Sequence, residues 1–230
     1  MQVIYEDNHL LIVNKKCGEI VQGDETGDTP LSELAAHYLV KKYNKPGKAF
    51  IGVTHRLDRP TSGVVVFAKT SKALSRMNSL FRDGKTQKVY HAIVTTPPQK
   101  VEGRLENLLQ RNAQKNKSFV VTRSDRTNDK TLKKAVLNYR VVAKSERYSL
   151  LEIHLHTGRH HQIRAQLAHI GCYIKGDLKY GAPRSNPDGG ISLHAASIRF
   201  IHPVSGIEIF AQAPYPDNEP LWKILSLASD

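Results

Sequence analysis

Residues 52–63 read G-V-T-H-R-L-D-R-P-T-S-G and set one carboxylate, Asp58, between two guanidinium groups, Arg56 and Arg59. An acid flanked by cations stays ionised. Such a group can serve as nucleophile, base or metal ligand, or as a structural ion pair that ties a loop down. His55 lies just before it, and Pro60, Ser62 and Gly63 close the segment. The apolar run at residues 64–68 follows at once and reads as a buried strand. The charged segment is then a loop feeding a core strand, where rigid scaffolds present functional groups.

Further along the chain, His154, His156, His160, His161 and His169 crowd together, a spacing that invites a metal reading. No H-E-x-x-H and no cluster of acidic partners accompanies them, so no metal site is expected. A nucleophile elbow of the G-x-S-x-G kind is absent, as is a phosphate-cradling P-loop.

The 230 residues carry 34 Lys and Arg against 21 Asp and Glu, a formal charge of +13. A balance this basic points to a polyanionic partner. Cys17 and Cys172 stand far apart with no CxxC pattern, which predicts reduced thiols. The N-terminus is too charged for a signal peptide, and no apolar run approaches a membrane span. The expectation is a cytoplasmic protein with no membrane association.

These residues must be positioned by regular elements. Short strands are predicted at residues 3–5 and 10–14. Thr29-Pro30 marks a helix start, with Thr29 as cap and Pro30 at the first helical position; Leu31, Leu34, Ala35, Tyr38 and Leu39 form its stripe. Thr70 and Ser71 cap a second helix, which Gly84 ends. Residues 88–94 alternate, with Tyr90, Ala92 and Val94 on one face. Residues 97–134 are the least organised part, rich in basic side chains including Arg104, Arg111, Lys115, Arg123, Arg126, Lys130 and Lys133. They read as strands and long basic loops, either a solvated surface or an RNA-facing one. Strands follow at residues 135–142 and 150–156. A helix is predicted at residues 159–170 and ends at Gly171. Its Arg164 falls beside the apolar stripe and demands a buried carboxylate, for which Asp58 is the candidate. A turn at Gly176-Asp177, a hairpin of residues 193–201 and 207–213, and a closing helix complete the chain.

H-R-L-D-R-P-T-S-G resembles the signature of the RluA-type pseudouridine synthase family. The likeness continues in order through K-V-Y-H-A at Lys88, T-G-R-H-H-Q-I-R at Thr157, G-C-Y-I-K-G-D-L-K-Y-G at Gly171, L-H-A at Leu193 and H-P at His202. Two positions depart from it: His160 stands where threonine is usual, and Gln166 where histidine is frequent. The resemblance implies a single catalytic domain over residues 1–230. It implies an α+β fold: a long mixed, mostly antiparallel bent sheet with flanking helices and a central cleft. It also implies an isomerase that turns specific uridines in ribosomal or transfer RNA into pseudouridine, without cofactor or metal, as a monomer. By the same resemblance, Asp58, Tyr90 and Arg164 would be catalytic, and Arg56, His55, Arg59, Arg159, His160 and Gln162 would touch the RNA. The rival readings are a basic RNA-binding protein without chemistry and a metal-dependent nuclease built on the histidines.

Overall fold

The apolar run after the Asp58 segment becomes strand β4 (Ser62–Ala68), in which every residue is buried. In the computed structural model, residues 1–122, 129, 131–217 and 219–227 are described. Arg123, Arg126 and Lys130, expected in a basic loop, lie outside them. Among the described residues, eleven strands join in a mixed, mostly antiparallel sheet, accompanied by four α-helices. No helix is long and apolar enough to cross a membrane. The chain divides into two compact units, Met1–Lys88 with His194–Pro216, and Val89–Leu193 with the C-terminal segment from Asp217.

In the first unit the strand order is β1 (Gln2–Glu6), β2 (Leu10–Lys15), β4 and β10 (Leu193–Ile201). Strand β3 (Gly52–Val53) adds to β4, and β11 (Glu208–Gln212) adds to β10. Leu10, Ile12, Val64, Val66 and Ala68 pack with Ala73 and Met77 of helix α2 (Ser71–Arg82). Thr70 caps α2 as its sequence predicts, accepting the Ala73 N–H at 3.1 Å. Strands β4 and β10 run parallel with Gly63 opposite Ala195. Gly63 has φ +115, and a Cβ there would meet the Ala195 carbonyl oxygen at 2.3 Å, so only glycine lets these backbones approach.

Helix α1 (Leu31–Lys42) starts differently from expectation. Pro30 is its cap, and the Thr29 side chain caps nothing. The orphan N–H groups of Leu31 and Ser32 instead reach the carbonyls of Ile20 and Val21, at 2.7 and 3.2 Å. Leu34, placed in the apolar stripe by spacing, is exposed, while Leu31, Ala35 and Leu39 are buried.

The second unit orders β5 (Thr86–Val94), β9 (Ser149–Leu155), β8 (Lys133–Lys144), β6 (Glu102–Asn112) and β7 (Lys117–Val121), all antiparallel. Ala92, Val94, Leu137, Leu151 and Ile153 form its core with Ile163 and Leu167 of helix α3 (Gln162–His169). Burial of each of those two helix side chains contributes about 1.5–3 kcal/mol. Within the stretch at residues 97–134, expected to hold strands and basic loops, β6 and β7 form a hairpin. Strand β6 has the sequence EGRLENLLQRN, in which polar residues alternate with half-buried ones, so hydropathy alone hides it. Helix α4 (Pro220–Leu227) closes the unit on the buried side chains of Trp222 and Leu225.

Candidate active site

The Asp58 loop leaves β3, which pairs antiparallel with β4 through Gly52 opposite Ala68 and Val53 opposite Phe67. The next rung of that ladder is made by side chains. The Thr54 hydroxyl donates to the Val66 carbonyl at 2.6 Å, and His55 Nε2 accepts the Val66 N–H at 3.0 Å. The backbone is thereby released to turn away, while the sheet's polar groups stay satisfied. The His55 ring lies 4.8 Å from that of Phe81. Burial, and then the charge of Lys88, holds its pKa down at about 3. His55, expected to touch RNA, is a neutral structural ligand of β4 whose proton sits on Nδ1.

Beneath the loop lies Lys15, the last residue of β2 and 0% exposed. Its ammonium donates to the carbonyls of Lys16 (3.0 Å), Arg59 (3.0 Å) and Thr61 (2.7 Å). The Gly18 N–H joins the Arg59 carbonyl at 3.0 Å, and the Thr61 N–H closes a turn on the Asp58 carbonyl at 3.0 Å. Burial draws the Lys15 pKa down to about 8, while nearby Cys17, Glu19 and Asp58 oppose that fall. Lys15 was not singled out from sequence. Its signal is a lysine at the end of an apolar strand, where a charge needs several partners.

Arg59, also expected at the RNA, bonds to its own surroundings in the folded chain. It meets Asp28 at 2.5 Å, Thr26 at 2.7 Å and Asp24 at 3.3 Å, so it ties down the loop before α1. Arg56 is different. It is exposed, and among the described residues its guanidinium makes no hydrogen bond or ion pair. The loop is therefore braced by His55, Lys15 and Arg59, and it presents a half-buried Asp58 and an open Arg56.

In the second unit, Tyr90 is half-buried on β5 and packs on the core. Arg164 is 5% exposed on α3, as a residue beside the apolar stripe should be. Its buried carboxylate partner within this unit is Asp177: Nε to Oδ2 is 2.7 Å and Nη2 to Oδ1 is 2.8 Å. In sequence Asp177 reads only as part of a turn. Asp177 is 1% exposed, and the pair is the bidentate arrangement that suits a guanidinium. Tyr180, from the 3₁₀ turn Leu178–Tyr180, lays its ring 5.0 Å from the Arg164 guanidinium carbon, with the Lys117 ammonium 4.7 Å from the same ring. The Tyr180 hydroxyl donates to the Ser118 carbonyl at 2.8 Å and accepts the Ser118 N–H at 2.9 Å.

Helix α3 begins three residues later than its pattern predicts, at Gln162 instead of residue 159. His161 precedes it in the left-handed conformation, φ 51. Gln162 explains the delay. Its side-chain oxygen accepts from the Thr157 hydroxyl at 2.7 Å and from the Arg159 N–H at 3.0 Å, and its amide donates to the Val136 carbonyl at 3.1 Å. Gln162 is 3% exposed, so this expected RNA contact is an internal brace. Arg159 is exposed, with Nε on the Lys134 carbonyl at 2.9 Å. His160 stacks on His161 at 3.8 Å and 17°, and bonds to Ser118 Oγ (2.9 Å) and Asn116 Oδ1 (3.1 Å). His161 meets the Tyr180 hydroxyl at 3.0 Å. Burial, followed by the charges of Arg164, His160, Lys179 and Arg111, holds its pKa near 2. That surround is cationic: Arg111 is exposed, and Arg111, Lys115 and Lys133 make no ion pair among the described residues.

Beyond the His160–His161 stack, the histidines of this group are spread apart. His154 is exposed beside Glu152 at 3.1 Å, His156 and His169 are exposed, and His161 is buried on Tyr180. Among the described residues, no group of His, Cys, Asp or Glu is arranged to hold a metal ion.

Comparisons with known proteins bear on both units. Residues 9–169 match the family described as RNA pseudouridylate synthase. The chain is 32% identical over 240 residues to "Ribosomal large subunit pseudouridine synthase D" of Zymomonas mobilis, covering 100% of this chain and 74% of that one. It is 30% identical to "tRNA pseudouridine synthase C" of Vibrio parahaemolyticus, covering 95% and 92%. Among solved structures, "Human RNA Pseudouridylate Synthase Domain Containing 4" superposes with a TM-score of 0.79 at 22% identity, over 94% of this chain and 89% of that one. At that identity the likeness speaks for the fold.

Proposed function

Because the chain belongs to the RluA-type RNA pseudouridylate synthases, isomerases that convert uridine to pseudouridine in RNA, we propose that Asp58 is its catalytic carboxylate and structured ribosomal or transfer RNA its substrate. The reaction breaks the N1–C1′ bond, turns the uracil and forms C5–C1′. The proton lost from C5 is balanced by one gained at N1, so there is no net redox change. What the protein must supply is a well-placed carboxylate at C1′ and a group that manages the proton at C5.

The observation that carries the Asp58 assignment is the bracing of its loop. Three neighbouring polar side chains, Lys15, His55 and Arg59, are spent on holding the backbone, and Asp58 is the carboxylate so presented. Preorganisation of this kind is what a reacting group needs. In this reading Tyr90 stacks on the base or moves the C5 proton, and Arg164, aligned by Asp177 and Tyr180, serves as the site's guanidinium. Both units together make up the catalytic domain. Arg159, His160 and the cationic surround of His161 take RNA phosphates. Arg56 fills the gap left by an extruded uridine.

The test is Asp58→Asn. Folding and RNA affinity stay close to wild type while product vanishes, read by pseudouridine mapping of ribosomal and transfer RNA in cells that carry either form. Turnover within about tenfold of wild type, a barrier change of only ~1.4 kcal/mol, would overturn the assignment. A protein that binds RNA with or without Asp58 and makes no product would be a binding module.

A further inference from the structure

Lys88 opens the K-V-Y-H-A segment, and neither the fold nor the proposed chemistry has yet given it a task. It lies on β5 two residues before Tyr90, and the two-residue period of a strand puts both side chains on one face. Its ammonium stands 6.0 Å from the centre of the Phe81 ring. Phe81 is also the ring that His55 packs against, so Lys88, Phe81 and His55 form a row beside the root of the Asp58 loop. In that row Lys88 carries the charge, since His55 is held neutral.

Among the described residues, the other ammonium groups withdrawn from water are matched. Lys15 has three carbonyls, Lys69 has Glu6 at 2.8 Å, and Lys175 has Asn186 and Glu219. Lys88 is half-buried, and among the described residues its ammonium has no hydrogen bond and no ion pair. Burial alone pulls its pKa down, with no acid to oppose that. An ammonium withdrawn from water and left without an acceptor destabilises the fold. Its one compensation here is the face of Phe81, which favours the charged form. The missing element is an anion.

Building on the reading of this chain as an RNA pseudouridine synthase, we propose that Lys88 receives a phosphate of the substrate RNA, in an ion pair that exists only in the complex. The reaction brings a phosphodiester close to the nucleotide being isomerised, and Lys88 stands with Phe81 and His55 beside the root of the Asp58 loop. The Phe81 ring fixes the direction of the ammonium before RNA arrives. Phosphate binding then restores its ordinary basicity. Stability is given up in the free protein so that the site is ready for its substrate.

The experiment compares Lys88→Met, Lys88→Arg and wild type, using an RNA stem-loop that the wild-type protein modifies. Lys88→Met removes the stranded charge and keeps the apolar stem over Phe81, so its Tm is equal to or above that of wild type. Its RNA affinity falls roughly tenfold, the scale of one charge-assisted contact. Its slope of log K against log salt flattens by about 0.7–0.9. KM rises more than kcat falls, and Lys88→Arg restores most of the slope. A lower Tm for Lys88→Met would make the residue structural. An unchanged slope would mean that no phosphate is bound there. Failure of arginine to restore turnover, with affinity recovered, would make Lys88 a proton-transferring amine and reject the phosphate reading. Binding and melting need no turnover, so an inert wild-type protein would count against the Asp58 chemistry, whereas an unchanged slope in an active one would count against Lys88 alone.

Discussion

Asp177→Asn isolates the bracing of Arg164. The native pair is bidentate, at 2.7 and 2.8 Å, with the partners 5% and 1% exposed. Asparagine keeps the shape but removes the charge, and its NH2 faces a guanidinium that only donates. Breaking one side of a buried pair costs about 3–5 kcal/mol, because the remaining charge is stranded. For a chain of this size about 2–4 °C of Tm is lost per kcal/mol, so the melt moves down by roughly 10 °C. Asp177→Glu recovers the charge without the two-point geometry and regains part of that loss. Activity falls further than stability requires, since a guanidinium misplaced by about 1 Å lowers a rate by about 10². The assay is a melt at pH 7 with single-turnover product formation on a stem-loop, measured well below the melt of the mutant. A Tm within 2 °C of wild type, or a rate within about threefold (~0.65 kcal/mol of barrier), would refute the argument that Asp177 positions Arg164.

Lys15→Met strands the carbonyls of Lys16, Arg59 and Thr61, at about 1–3 kcal/mol for each group left unsatisfied; product formation collapses while RNA affinity changes little, and equal loss of both would argue against a role confined to the loop. Glu6 is held at about 2 although burial favours its neutral form, because hydrogen bonds from Lys42, Lys69, Tyr43 and Tyr38 outweigh burial. The folded state therefore binds fewer protons than the unfolded chain, so the stability this network contributes is present above pH ~4.5 and lost as the pH falls towards 2. Glu6→Gln removes that acid limb from denaturation curves recorded between pH 6 and 2.5, and an unaltered limb would show that the network does not matter. Arg56→Ala slows modification of a uridine inside a stem-loop by more than that of the same uridine in a flexible strand; equal slowing would leave Arg56 a purely electrostatic residue.

How far the sequence reveals this molecule depends on which property is asked of it. Strand β4 announces itself because it is buried on both faces and so has no polar alternation to confuse. Strand β6 hides for the opposite reason: it has few fully buried positions, and it pairs with β7 across a short turn and with β8 from farther along the chain. The start of α3 was misplaced because its pattern extends through Arg159 and His160, while a side chain, Gln162, decides where the helix begins. Nothing in hydropathy reports that kind of competition.

The candidate site is legible in its charged residues and obscure in their supports. Asp58, Arg56 and Arg164 stand out as charges in marked places. Asp177 looked like a turn residue because aspartate is common in turns; only the fold shows that it lies under Arg164. For His55, Arg59 and Gln162 the RNA contact is what the family resemblance implies. In the folded chain His55 and Gln162 are braced internally, and Arg59 is held by the acids of the loop at residues 24–28. Cations around one carboxylate are thus sorted by what each already holds. Lys15 and Arg59 are matched within the protein and keep the loop rigid. Arg56 and Lys88 are unmatched among the described residues, and an RNA is the partner that a protein with a formal charge of +13 is built to attract. The same accounting separates a residue that serves the fold from one that waits for substrate: removing the first lowers Tm, and removing the second leaves or raises it.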